Sequence, residues 1–321
     1  MPFSSSYKVF PKILPHPPNQ VNCTRFRKFF HDALCLLFWH DLGVIIREKE
    51  RDLVRKMGKC FISSILYGND NWQMIYDTVK TAKFEIGVEY FAFEINDEEE
   101  RKLRNLQRIF KSLPSTFHSP MRKAEPTSAP GTSDYELLVA NWKRSLKLCA
   151  EFGSSHIVFH SNNCYIKEEE RLIKQKNAME NCLFLNEMCK GYDVTLLVET
   201  LALPGKGAPI FTNEEYVNFI LENGLYALID VGHMNVNNYD YEYTVRKLNR
   251  RILAYHIHNN DGTDDTHQSI ENGTFDYDFF IEMYKKYTPE ADLVFEYINI
   301  PDLTAEKLFR DIDYLYQRTK E

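Results

Sequence analysis

The sequence predicts an α/β fold of the (β/α)8 barrel type, and three observations predict it. From Met57 onward, eight short runs rich in β-branched and aromatic residues alternate with eight longer stretches of helical period. Several short runs are apolar throughout, as in Ile157-Val158-Phe159 and Leu196-Leu197-Val198, the pattern of strands buried on both faces. No GxGxxG or GxxxxGK[ST] turn occurs, so a doubly wound nucleotide-binding sheet has no support.

Eight strand–helix units run along the chain in order. A strand over 60–67 leads to a helix over 72–82, then strand 87–95 to helix 97–111, and strand 115–118 to helix 135–152. Strand 156–160 leads to helix 167–190, strand 194–199 to helix 213–222, and strand 226–230 to helix 241–249. Strand 253–258 leads to helix 276–287, and strand 293–296 to helix 305–317. Thr212-Asn-Glu-Glu215 reads as a capping box, in which the Thr hydroxyl caps a backbone N–H and the Glu reaches back. Gly153 and Gly224 stand where helices stop.

Residues 1–56 differ from the rest of the chain. The first twenty include Pro2, Pro11, Pro15, Pro17 and Pro18 without any period, and 47–56 is a dense charge run. The reading is an N-terminal extension over 1–56, disordered or loosely docked, before a barrel over 57–321; a transit peptide is the weaker alternative. With 44% hydrophobic and 26% charged residues, and 13 Gly and 13 Pro, collagen, coiled coil and global disorder are excluded. The longest apolar run ends at Trp39, cut by His40 and Asp41, far short of a membrane span. Seven Cys (Cys23, Cys35, Cys60, Cys149, Cys164, Cys182, Cys189) form no CxxC pair and read as free thiols of a reducing, cytoplasmic compartment. Lys8, Lys12, Arg25, Arg27 and Lys28 stand among the first 31 residues without an acid, so the remainder carries −12 against a net −7. An acidic body counts mildly against nucleic acid.

The decisive pattern lies at the strand ends. His118, His160, Glu199, Asp230 (with His233 shortly after), His256 with His258, and Glu296 all fall at or just past the ends of strands three to eight. In such a barrel the C-terminal face carries the chemistry, and these are hard or borderline metal ligands with no Cys or Met among them. Any one alone is ordinarily a solvated or hydrogen-bonded strand end, but several carboxylates at one mouth need a cation. His256 and His258 face the same side of their strand; His258 is nearer the mouth and reads as the ligand, His256 as a deeper support. His156 begins its strand and reads as structural. Asp265-x-His267, in the loop after strand seven, could fold over the metal as a further pair.

The ordered set resembles the xylose isomerase-like TIM barrel superfamily over about 57–321. That superfamily joins sugar isomerases and epimerases with endonuclease IV-type abasic-site nucleases, the AP endonuclease family 2. The matching stretches are Phe117-His-Ser-Pro120, Val158-Phe-His160, Leu197-Val-Glu-Thr200, Ile229-Asp-Val-Gly-His233, His256-Ile-His-Asn-Asn-Asp-Gly262, Asp265-Thr-His267 and Phe295-Glu296. The resemblance implies a core metal site of Glu199, Asp230, His258 and Glu296, the two glutamates doubling as an acid/base pair. The three-zinc nucleases imply a larger set: His118, His160, Glu199, Asp230, His233, His258, Asp265, His267 and Glu296. All nine positions are filled. The texture of Asp-Val-Gly-His and His-Asn-Asn-Asp-Gly is closer to the sugar phosphate isomerase/epimerase branch. One departure is Ser269-Ile-Glu-Asn-Gly273, where a second glycine is usual two residues before the last.

The first reading is therefore an isomerase or epimerase of a sugar or sugar phosphate, with a small carbohydrate as partner. It uses one to three divalent ions, zinc or manganese, and Glu199, Glu296 and His233 as catalytic residues. The second is a zinc-dependent endonuclease IV-like phosphodiesterase acting on abasic-site DNA, the only reading with nucleic acid as partner. A loop one offering Trp72 as its single aromatic wedge, and Arg122 and Lys123 as the only basic pair near the mouth, count against it. A non-catalytic metal-binding barrel ranks third. No membrane partner is expected, and a homo-oligomer stays open.

Overall fold

Eight parallel strands close on themselves in sequence order, β1 to β8, with β8 pairing back onto β1. The computed structural model describes residues 58–66, 72–201, 205, 207–298 and 300–320, all within the unit Lys56–Glu321. The expected extension over 1–56 lies outside the described residues, as do Tyr67 and most of loop one. Among the described residues no helix is long and apolar enough to cross a membrane, and the five described cysteines are free thiols.

The strands are β1 Cys60–Ser63, β2 Ile86–Tyr90, β3 Ser115–His118, β4 His156–Phe159, β5 Thr195–Glu199, β6 Tyr226–Asp230, β7 Ile252–Ile257 and β8 Asp292–Phe295. The helices are α1 Gln73–Thr81, α2 Asp97–Phe110, α3 Ser133–Phe152, α4 Arg171–Lys190, α5 Asn213–Asn223, α6 Val231–Val236, α7 Tyr241–Leu248, α8 Tyr277–Tyr287 and α9 Ala305–Lys320. Local chemistry sets their ends. Asn96 accepts from the amides of Glu98 and Glu99, and four acids crowd the first turn of α2, where the helix dipole favours them. Leu103, Leu106 and Phe110 then bury one face of that helix. The Thr212–Glu215 capping box opens α5, and Gly153 and Gly224 end α3 and α5 at φ of 71° and 63°.

Five expectations need correction. Strand one ends at Ser63 rather than running to Tyr67, and Ser64–Leu66 forms a 3-10 turn. Strand two stops at Tyr90 rather than running to Ile95, because the Phe91 amide turns to the Ser64 hydroxyl (2.9 Å) instead of a ladder partner. The helix expected over 167–190 splits into a 3-10 turn, Glu168–Glu170, and α4. Strands seven and eight end one residue early, so His258 and Glu296 stand just beyond their strands, as His160 does beyond β4. The six-residue α6 was not expected at all; Asp230 caps it by accepting from the His233 amide at 2.8 Å.

Side-chain alternation explains the layering. Val158, Leu197, Leu228 and Ala254 form an apolar cluster apart from the main core, fully buried. Each lies two residues before a polar residue of the mouth (His160, Glu199, Asp230, His256), so both point the same way along their strand. The apolar layer thus plugs the barrel beneath the polar one, and the larger core packs helices against the sheet.

Candidate metal centre at the barrel mouth

Three groups of side chains meet above that plug. At the centre, Asp230 and His258 come from neighbouring strands, with His258 Nε2 2.9 and 3.0 Å from the two Asp230 oxygens. Beneath them the His256 Nδ1 stands 3.1 Å from Glu296 Oε2, 3.3 Å from Glu199 Oε1 and 3.5 Å from Asp230 Oδ2. Carboxylates of β5, β6 and β8 therefore converge on one atom.

One wing is His118, His160 and Glu199, whose ligand atoms all lie within 4.8 Å of one another. The two Nε2 atoms are 3.1 Å apart, and Glu199 Oε2 lies 2.7 Å from His160 Nε2 and 3.6 Å from His118 Nε2. The other wing is His233, Asp265 and His267: Asp265 Oδ2 lies 3.3 Å from His233 Nε2 and 2.9 Å from His267 Nε2. The loop carrying this pair folds back because Asn259 and Gln268 exchange backbone bonds of 2.9 and 2.8 Å. That closure stacks His267 on His258, centroids 3.9 Å apart, with His267 in the left-handed region at φ 46°.

The wiring of the rings suits metal ligation. His118, His233 and His267 each donate Nδ1–H to a backbone carbonyl, of Ser119 (2.8 Å), Thr200 (2.7 Å) and Glu296 (2.8 Å). That turns each Nε2 toward the mouth, the orientation that such backbone bonds give to ligating histidines. Two Nε2 atoms and a carboxylate oxygen sharing one spot cannot all be served by one proton, whereas a divalent ion satisfies them together. Each wing could hold such an ion, and nearer the centre the side chains whose ligand atoms lie within 4.8 Å of one another are His258–His267–Glu296, Glu199–Asp230–His256 and Glu89–His256–Glu296.

Crowding sets the electrostatics. Burial alone raises the Glu199 carboxyl, but His160 and His256 outweigh it and hold it well below the usual range. Burial likewise opposes the charge on His233 and His256, yet Asp230 and Asp265 drive the first, and Glu296 and Glu89 the second, well above the ordinary imidazole value. His267 rises to about 9 against its own burial, through Asp265. His156, at the far end of its strand, is pushed by burial down to about 4, consistent with a structural, neutral ring.

All the expected site residues gather here, and His256 stands where three carboxylates meet its Nδ1. Sequence reasoning missed Glu89 on β2, wholly buried, whose Oε2 is 3.4 Å from His256 Nε2. Its only signal was a lone acid in an apolar run. It also missed the role of Gly232: a Cβ there would stand 1.9 Å from the His258 ring, so only glycine lets α6 pass so close. The missing second glycine of 269–273 is harmless, since Glu271 is exposed while Gly273 makes the close approach to Asn259.

A cavity of about 110 Å³ opens onto the site. Ile65, Phe91, Phe93, Met121 and Ile298 supply its apolar lining, with Phe91 packed on the His118 ring at 4.6 Å. At its rim the Arg122 guanidinium lies over the Phe93 ring at 5.4 Å and Lys123 pairs with Glu94 at 2.6 Å, so both cations are engaged.

A family model described as xylose isomerase-like TIM barrel matches residues 76–317. No curated protein matches. Among solved structures, a D-tagatose 3-epimerase-like protein superposes with a TM-score of 0.63 at 19% identity, covering 82% of this chain and 98% of that one. The IOLI protein with a bound zinc atom gives 0.64 at 13% identity, covering 82% and 98%. An AP endonuclease, family 2, from Brucella melitensis gives 0.62 at 16% identity, covering 80% and 99%. At these identities the likeness is one of fold.

Proposed function

The chain belongs to the xylose isomerase-like TIM barrel family, and from that premise we propose that it is a divalent-metal-dependent isomerase or epimerase of a small sugar or sugar phosphate. The observation that carries this reading is the pairing of Glu199 and Glu296. They come from β5 and from just past β8, and both reach the same His256 nitrogen, at 3.3 and 3.1 Å, beside a cavity of about 110 Å³.

Glu199, Asp230, His258 and Glu296 would hold the ion. Bound there, it would supply Lewis-acid polarisation of adjacent substrate oxygens, favouring an enediolate when a proton leaves the carbon beside the carbonyl. One glutamate removes that proton and the other returns it, on the opposite face or at the next carbon. His233, tethered to Thr200 through Nδ1, keeps its Nε2 for a substrate oxygen or for Asp265. Phe91 and Phe93 would wall one side of a bound substrate. The test is exchange of solvent deuterium into ketoses of three to six carbons by the metal-loaded enzyme. Incorporation beside the carbonyl supports the reading; none with any such sugar, alongside cleavage of an abasic-site duplex, replaces it.

A second reading, a zinc-dependent phosphodiesterase of the abasic-site type, is favoured by one specific observation. The wings His118–His160–Glu199 and His233–Asp265–His267 are both complete, which supports three ions rather than one.

A further inference from the structure

We propose that Glu89 is a positioning residue of this site: its carboxylate braces the His256 ring, and through that ring sets where Glu199, Asp230 and Glu296 stand. The proposal rests on the metal-cage reading above and concerns a residue outside the nine-ligand set. Glu89 and His256 are both wholly buried. An acid in that position is costly unless something holds it, and its held oxygen faces His256 Nε2 at 3.4 Å and the Thr116 hydroxyl at 3.5 Å. The opposite ring nitrogen, Nδ1, is the atom on which the three carboxylates converge.

His256 is therefore a strut across the barrel, from β2 on one side to β5, β6 and β8 on the other. Its plane is backed by the His118 ring at 5.8 Å and 19°. Glu89 meets the far nitrogen of the ring at 3.4 Å, while the three carboxylates meet the near one. It acts on them by fixing the direction in which Nδ1 points. Without it, the ring can turn about its Cβ–Cγ bond, and the three carboxylates lose their common anchor. Outer partners of this kind ordinarily change metal affinity by about 10–100-fold.

The experiment uses the full chain and two variants. Glu89→Leu removes the acceptor at similar volume; Glu89→Gln keeps an amide oxygen that still accepts from Nε2–H. Zinc affinity is measured by competition with a chromophoric chelator, and the His256 ring is followed by 15N-histidine NMR, with circular dichroism confirming the fold. Expected are an affinity loss of about 10–100-fold and a displaced His256 ring signal in Glu89→Leu, with both largely restored in Glu89→Gln. Wild-type affinity together with an unmoved ring signal in Glu89→Leu overturns the proposal. If Glu89→Leu does not fold, Glu89→Ala takes its place, and wild-type affinity with an unmoved ring signal there overturns the proposal. A wild-type chain that takes up no zinc overturns the metal-cage reading instead, while the ring signal still judges Glu89.

Discussion

His258 Nε2 lies almost equally far from the two carboxylate oxygens of Asp230, at 2.9 and 3.0 Å. An N–H shared between both oxygens accounts for that spacing, and so do two groups directed at a common cation, with Tyr277 steadying the backbone beside them by donating to the His258 carbonyl at 2.8 Å.

Glu296 is needed in both enzymatic readings. Glu296→Gln keeps the volume and removes the charge and the base, so kcat is expected to fall by about 10²–10⁴-fold with an unchanged circular dichroism spectrum. Steady-state kinetics on the metal-loaded enzyme check this. Near-wild-type turnover would remove Glu296 from the chemistry.

Gly232 makes a steric prediction. Gly232→Ala places a methyl group within 1.9 Å of the His258 ring, so either the ring or α6 must shift. Overpacking of this kind costs about 1–3 kcal/mol, and the metal affinity should fall with it because His258 is displaced. Chemical denaturation and zinc titration of the variant read the two effects separately.

Asp311 makes a pH prediction away from the metal centre. Burial raises its carboxyl to about 6, opposed by the bond from Tyr297, whose hydroxyl donates to it at 2.7 Å. A carboxyl whose pKa is raised on folding favours the folded state below its unfolded value, near 3.8, and loses that contribution as pH rises through about 6. Asp311→Asn keeps an acceptor for Tyr297 without titrating. The stability of the variant relative to wild type should therefore grow between about pH 4 and 7, by up to about 3 kcal/mol. Denaturation midpoints at several pH values check it; a pH-independent difference would show that Asp311 titrates normally.

The mouth residues were legible because the fold makes them so. In a parallel barrel every strand ends on the same face, and an inward parity shared by Leu197 and Glu199, or Leu228 and Asp230, is written directly in the alternation. Asp265-x-His267 was legible as a polar pair in a loop just after a ligand strand. Glu89 was not, because reading strand two through to Ile95 left it in mid-strand, whereas the strand ends at Tyr90, one residue beyond it. The six residues of α6 are too few to show a helical period, and the need for glycine at 232 comes from a ring distant in sequence.

The most direct measurement is anomalous diffraction from crystals of the full chain grown with zinc. The expected result is an anomalous peak bounded by Glu199, Asp230, His258 and Glu296, absent in Asp230→Ala; a fully occupied peak elsewhere, with none among these four side chains, would contradict the shared-ion site.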